Sequence, residues 1–401
     1  MRLTPVPPRL PILARSCVPA FFMVYVVDLL RQTQDHLTNG AGRPFGDDFI
    51  NFWCGPFLAV HHRIGEVYDF VRFHAFEQSV AGAAIDFYHY SYSPVMLALS
   101  APLASLPYPP ALFVWLGASW FAFYRALRLA VPQEGALLLA LSSPAVLINA
   151  VAGQNGMWTA ALLGGGLMML RQRPIAAGVL FGGLLIKPQL AVLLPVALLA
   201  GRHWRTLTAT TATSLALLLG SLLIFGIEPW LHYMHNLGFL RHGILEDGRG
   251  VWFRFVSVFT AARRLGATVE TAYAVQAGAA LLAGTAVAVV WARATQADLR
   301  NTVLVLGTCL ATPYIQDYDM VVCILAAAWL WRQPAALYPS ETWLQVACGS
   351  LLAAPLVVAA AGKLTGLAWG PLFILPALWA ALFAATRRSE VSGLRGVTAA
   401  N

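Results

Sequence analysis

The chain has 401 residues, 59% hydrophobic and only 11% charged, with a net charge of +8 and a mean hydropathy of +0.67. Soluble domains carry about 25% charged residues, so a single soluble core of this length is excluded and a polytopic membrane protein is indicated. The 26 Lys+Arg outnumber the 18 Asp+Glu, but the cations sit at the ends of apolar segments, as the positive-inside rule places them, so nucleic acid is not an expected partner.

In chain order, a basic N-terminus leads into Pro11–Leu30. Phe21–Leu30 could pass for a signal peptide, but no small-x-small cleavage site follows and Asp28 interrupts its end, so a retained first helix is expected. A polar, aromatic-rich stretch, residues 31–93, follows; it predicts a periplasmic first loop carrying short interfacial helices. Pro94–Leu106 is apolar but about half the length needed to span. Further apolar segments are Ala111–Leu129, Gly135–Ala150, Met157–Leu170, Ile175–Ile186, Leu190–Ala200, Leu207–Ile227, Val269–Ala292, Leu299–Ala311, Val321–Trp331, Trp343–Ala361 and Leu367–Ala385. Arginines at 125, 128, 171, 173, 202, 205, 293, 332, 387 and 388 agree with one crossing parity if Pro94–Leu106 is re-entrant or only dips. The expectation is an all-α, single transmembrane unit (1–401) with about twelve spans and a second periplasmic loop at 228–267. No internal repeat of the kind common in secondary transporters is evident. Of the five cysteines, all but Cys54 lie in apolar segments and none forms a CxxC, which reads as packing rather than metal or disulfide.

The same parity puts four polar clusters on the outer side with the first loop. In Gly46-Asp47-Asp48-Phe49-Ile50-Asn51-Phe52-Trp53, paired carboxylates beside aromatics suit a general base, or a helix cap in a solvated loop. Tyr90-Ser91-Tyr92-Ser93-Pro94 suits a sugar or the interfacial aromatic belt. Gly153-Gln154-Asn155-Gly156 is a tight turn rich in donors and acceptors, or only a turn. Lys187-Pro188-Gln189 sets an ammonium beside a broken helix, a phosphate partner unless it snorkels. His232 and His235, at i, i+3, do not make a metal site alone. Arg241, Arg249 and Arg254 bring planar guanidinium groups that match phosphate. Gln316, Asp317 and Asp319 open a membrane helix, and Asp319 is a functional candidate by its depth.

Taken in order, these pieces resemble glycosyltransferase family 87, integral-membrane enzymes of the GT-C class. The resemblance runs from Gly46 to about Trp331. It is carried by Asp48-Phe49-Ile50-Asn51-Phe52-Trp53, Tyr92-Ser93-Pro94, Gly153-Gln154-Asn155, Ala177-Gly178 and Lys187-Pro188-Gln189. Arg202-His203-Trp204-Arg205, Ser257-Val258-Phe259, Arg263-Arg264-Leu265-Gly266 and Pro313-Tyr314…Tyr318-Asp319 complete it. What it implies is a hexosyl, mannosyl-type transfer from a polyprenyl-phosphate sugar to a lipid or glycan acceptor. The site would face the periplasm from a bacterial inner membrane, with a loop carboxylate as base and no cofactor or metal. Asp48 aligns with that acid, Asp47 leaves the choice within the pair open, and Pro56 departs from the usual pattern. Lys187 with Arg241, Arg249 or Arg254 would neutralise the departing phosphate. Trp53, Tyr92, Gln154, Asn155, Gln189, His235, Gln316, Asp317 and Asp319 are the candidate substrate contacts. The reading from another class is a transporter or flippase of a lipid-linked saccharide, which would need no base.

Overall fold

The computed structural model describes residues 9–248, 250–293 and 296–398, with side chains from 14 to 387. Among them every long element is helical and no strand forms, as the apolar periodicity predicts. The helices are α1 (Arg9–Arg31), α2 (Phe49–Val60), α3 (Ile64–Val67), α4 (Phe70–Ala81), α5 (Pro94–Ser100), α6 (Tyr108–Ala130), α7 (Gln133–Ser142), α8 (Pro144–Val151), α9 (Gly156–Met169) and α10 (Pro174–Gly183). They continue with α11 (Leu194–Ala200), α12 (Trp204–Phe225), α13 (Glu228–Phe239), α14 (Val258–Arg264), α15 (Val269–Ala292), α16 (Ala297–Ala311), α17 (Val321–Trp331), α18 (Glu341–Thr365) and α19 (Gly370–Thr398). Their ends follow local chemistry. Prolines stand in the first turn of α5, α8 and α10, where the missing N–H is no loss. Asp69, Ser257, Thr268 and Ser340 cap α4, α14, α15 and α18 through their side-chain oxygens.

Among the described residues, four helices are long and apolar enough to cross a membrane: α12, α15, α18 and the first part of α19. The bent pair α7–α8 makes a fifth if it is one span. α6 has the length, 23 residues, but is less apolar, and Phe49–Val60, Pro94–Ser105, Gly156–Met169, Pro174–Ile186 and Pro188–Ala200 are shorter, so the expected twelve crossings do not appear as twelve full-length helices. Pro94–Ser105, short as predicted, is an α-turn running into a 3-10 turn that packs on α2.

The first loop carries α2, α3 and α4, but α2 does not lie on a surface. Ten of its twelve residues are buried. Phe49 and Phe52 stack on Tyr108 and Trp115 of α6, at 5.5 and 4.8 Å between centroids. Its aromatics lack the polar face that would float the helix at an interface, so the loop folds down onto the bundle. The second loop joins it. Asn236 on α13 donates to the Tyr68 carbonyl at 2.9 Å, and Phe70 packs on Phe239. The outward face of α13 exposes Leu231 and Met234.

Close glycine contacts fix the helix directions around the centre. Gly166 on α9 faces Phe181 on α10 while Gly183 faces Leu162, so α9 and α10 run antiparallel. Gly178 meets Ala209, and Gly182 meets Thr213, so α10 and α12 run parallel. The chain therefore climbs α10, turns at Lys187 and descends through α11 to the start of α12. The 14 residues of α9 rise about 21 Å, whereas the 22 of α12 rise about 33 Å. Asn155 and Lys187 thus sit on a floor well below the top of α12.

Candidate active site

Four of the polar clusters meet on that floor, and two glycines make the approach possible. Gly153 has φ +59°, and a Cβ there would lie 2.0 Å from the Gly46 carbonyl oxygen. A Cβ on Gly156 would lie 2.2 Å from the Tyr318 carbonyl oxygen. The Gly153–Gly156 turn is thereby clamped between the first loop and the start of α17.

Asp47 and Asp48 are adjacent in sequence but differ in surroundings. Asp47, at φ +54°, accepts from the Arg43 Nε at 2.8 Å and from the Tyr88 hydroxyl at 2.7 Å. Arg43 also holds Asp28 at 2.7 Å and the Val151 carbonyl at 2.8 Å. Among the described residues, no cation is in contact with Asp48. Its half-buried carboxylate accepts from the Gln154 Nε2 at 2.8 Å, and the Gln154 Oε1 accepts from the Tyr92 hydroxyl at 3.1 Å. Burial, and then the neighbouring Asp47, push its pKa up to about 6, while Arg254, the Gln154 hydrogen bond and Lys187 pull against the rise.

The cations are held by the start of α17. Lys187, 4% exposed, donates to Asp319 at 2.5 Å and to the Asn155 Oδ1 at 3.3 Å. Arg254 pairs with Asp317 at 3.1 Å through Nε and one terminal nitrogen. The Tyr318 ring lies between them, 4.6 Å from the Lys187 Nζ and 5.1 Å from the Arg254 guanidinium carbon. Gln316 and Asp319 form a reciprocal cap, and Phe255 pairs with Gln316 through the backbone, bringing the second loop to the floor. Each cation keeps donors in reserve: one N–H of Lys187, and the other terminal nitrogen of Arg254.

Asp48, Tyr92, Gln154, Asn155, Lys187, Arg254, Gln316, Asp317 and Asp319 thus come together, with Asp47 just behind. Gln189 is half-buried on the turn after Lys187. Trp53 points elsewhere: it is buried among Phe57 and Tyr108 and donates to the Leu106 carbonyl at 2.9 Å. Arg241 is exposed and engaged with His242 and Glu246, and His235 is exposed on α13. Arg249 lies outside the described residues. No metal-holding group of His, Cys, Asp or Glu occurs among the described residues. Sequence reasoning missed Arg43 and Tyr88, which engage Asp47, and Tyr318, the ring between the cations. The i, i+4 spacing of Arg43 and Asp47 was the available signal for the first of these.

Neither the curated proteins nor the solved structures contain a match to the chain. The family model for glycosyltransferase family 87 matches residues 90–313, more than half of the length. That span holds Tyr92, Gln154, Asn155, Lys187 and Arg254. Asp48 lies in the first loop well before it and Asp319 just after it, and both join the site through the fold. A membrane-embedded helical bundle with carboxylates and cations gathered on one floor is in keeping with that match: the chain belongs to glycosyltransferase family 87.

Proposed function

We propose that the protein transfers a hexosyl, mannosyl-type group from a polyprenyl-phosphate sugar to a hydroxyl of a lipid or glycan acceptor, with inversion and without a metal. The observation that carries this is the division of labour on the floor. Among the described residues, three aspartates are tied to cations, and the fourth, Asp48, is not. A general base needs a carboxylate whose proton affinity is raised and whose oxygen is reachable, and Asp48 has both.

In the proposed reaction the acceptor oxygen attacks the anomeric carbon as its proton passes to the Asp48 carboxylate. The bond from that carbon to the phosphate oxygen breaks on the opposite side, and its electron pair leaves with the polyprenyl phosphate. The reserve N–H of Lys187 and the free terminal nitrogen of Arg254 receive the growing phosphate charge. Asp319 and Asp317 keep both cations oriented before the donor arrives. Tyr92, Gln154, Asn155 and Gln316 supply hydrogen bonds to the sugar. A GT-C-like unit over 1–401, with short helices paired into about twelve crossings, would place this floor toward the periplasm of a bacterial inner membrane. Cysteine accessibility in intact cells tests the orientation: Arg387→Cys, at the far end of α19, should resist labelling from outside.

The decisive experiment incubates the purified protein in bilayers with a panel of polyprenyl-phosphate sugars and measures release of polyprenyl phosphate. Release with one sugar and an alcohol acceptor, lost in Asp48→Asn, supports the reading. No release with any donor overturns it.

A further inference from the structure

A second charged cluster lies at the other end of the bundle, where α9 ends, α11 turns into α12, and α15 is followed by α16. Its centre is Arg300, in the first turns of α16 and 8% exposed. Its guanidinium lies over the Trp291 ring, 4.7 Å from the centroid, and its carbonyl accepts from the Trp291 indole at 2.9 Å. Among the described residues no acceptor meets the guanidinium: its Nε is buried without a hydrogen bond, and it forms no ion pair. Asp298, the acid nearest in sequence, is engaged with Gln333 at 3.2 Å and Arg332 at 3.6 Å. The other groups around Arg300 make the imbalance worse. His203 stands edge-on to Trp291 at 5.8 Å, with its Nε2 buried and unpartnered. Arg171, exposed at the end of α9, acts electrostatically on both Arg300 and His203.

Arginine does not relieve such a position by losing its proton, and a buried cation without a partner is among the costliest arrangements a fold can hold. A buried guanidinium and an imidazole share the Trp291 ring, the exposed Arg171 adds its charge to both from outside, and no carboxylate among the described residues answers them, so the cluster is a receptor lacking its anion. The planar, multi-donor guanidinium groups match the oxygens of a phosphate, which offers several acceptors to donors arriving from different helices. We propose that Arg300, with Arg171 and His203, binds a phosphate group at the end of the bundle opposite the acid-bearing floor. The phosphate belongs either to the headgroup of an anionic phospholipid or to free phosphate, and the ligand chemistry is the same for both. This assignment does not depend on which sugar the floor transfers.

The test reconstitutes the full chain in bilayers of phosphatidylcholine alone or with phosphatidylglycerol. Native mass spectrometry reads retained phosphatidylglycerol, and thermal unfolding reads stabilisation by inorganic phosphate in the neutral bilayer. The proposal expects binding in at least one arm; retention of phosphatidylglycerol assigns a headgroup, and stabilisation by inorganic phosphate alone assigns the free ion. Arg300→Met should weaken binding about ten- to hundredfold, as expected for loss of a charge-assisted hydrogen bond. Arg171→Gln, at an exposed position that leaves the fold alone, should weaken it less but measurably, and it carries the test if Arg300→Met does not fold. Arg205→Gln, on the exposed part of α12, should change nothing. No binding in either arm, wild-type binding by Arg171→Gln, or an equal loss in Arg205→Gln overturns the proposal.

Discussion

The two ends of the bundle handle buried charge in opposite ways. At the floor under the first loop, every cation among the described residues has a carboxylate: Lys187 with Asp319, Arg254 with Asp317, Arg43 with Asp47. What is left over is one anion, Asp48, held by an amide. At the other end the leftover group is a cation, Arg300, lying on an indole. A fold keeps an uncompensated charge only where the surroundings force it, and such a group is most informative when its neighbours are paired. The comparison teaches that the pairs define the scaffold, while the unpaired group marks where something from outside the chain is to be met.

The largest effect that would break this view is on turnover. Asp48→Asn keeps the shape and the Gln154 contact but cannot take a proton, so the rate should fall by about 10²–10⁴ while donor binding survives. Asp47→Asn, which loosens Arg43 and Tyr88, should cost less. If the two variants change places, the paired aspartate is the base and the rule of the leftover charge fails.

Lys187→Gln sharpens the scaffold side. It leaves Asp319 without its cation, a loss of about 3–5 kcal/mol for a buried pair. The double variant Lys187→Gln/Asp319→Asn should recover most of the unfolding temperature but not donor binding. Recovery of both would make the pair purely structural.

The pH dependence separates the two roles of Asp48. It must be ionised to act, so kcat/KM should rise with pH and level off above about 6, falling about tenfold per unit below it. Stability runs the other way. Because the folded state raises this pKa above its ordinary value, the native protein binds the extra proton, and stability falls as pH rises through the window up to about 6. Asp48→Asn should therefore unfold at a higher temperature than the wild type at pH 8 and at an equal one near pH 4.

The steric side of the site gives a smaller effect, and the packing residue gives the smallest. Gly153→Ala forces a Cβ against the Gly46 carbonyl and should cost about 1–3 kcal/mol of stability, with turnover falling as the first loop shifts. Trp53→Phe removes one hydrogen bond to the Leu106 carbonyl and should cost about 1 kcal/mol with transfer unchanged. Loss of sugar binding in that variant would return Trp53 to the site.

Much of the site was legible because punctuation in an apolar sequence is conspicuous. Gln154, Lys187 and Asp319 each interrupt hydrophobic runs, and crossing parity alone gathered them on one side. Of the surroundings of Asp47, the i, i+4 spacing to Arg43 was legible and went unused, whereas Tyr88 reaches it from a loop that has no periodicity. The aromatic content of 49–60 suggested an interfacial helix because composition does not say whether a ring meets lipid or another ring. Arg300 went unread for the converse reason. It is the second residue of the apolar stretch Leu299–Ala311, whose mean hydropathy hides a single cation. The short segments were legible as apolar runs, and four helices with the bent α7–α8 pair reach spanning length and hydropathy, but runs of ten to seventeen residues do not reveal how they pair across a bilayer.

The turn at Lys187 has a consequence for the lipid around it. The arm that climbs from Pro174 to Lys187 ends far short of α12, yet it carries lipid-facing side chains such as Ile175 and Val179. Acyl chains beside it meet a protein wall of unequal height and must compress locally, at a cost that grows with the thickness of the surrounding bilayer. If the donor is lipid-linked, as proposed, its access to this floor should depend on membrane thickness, with short-chain phospholipids matching the low wall and long-chain ones burying it.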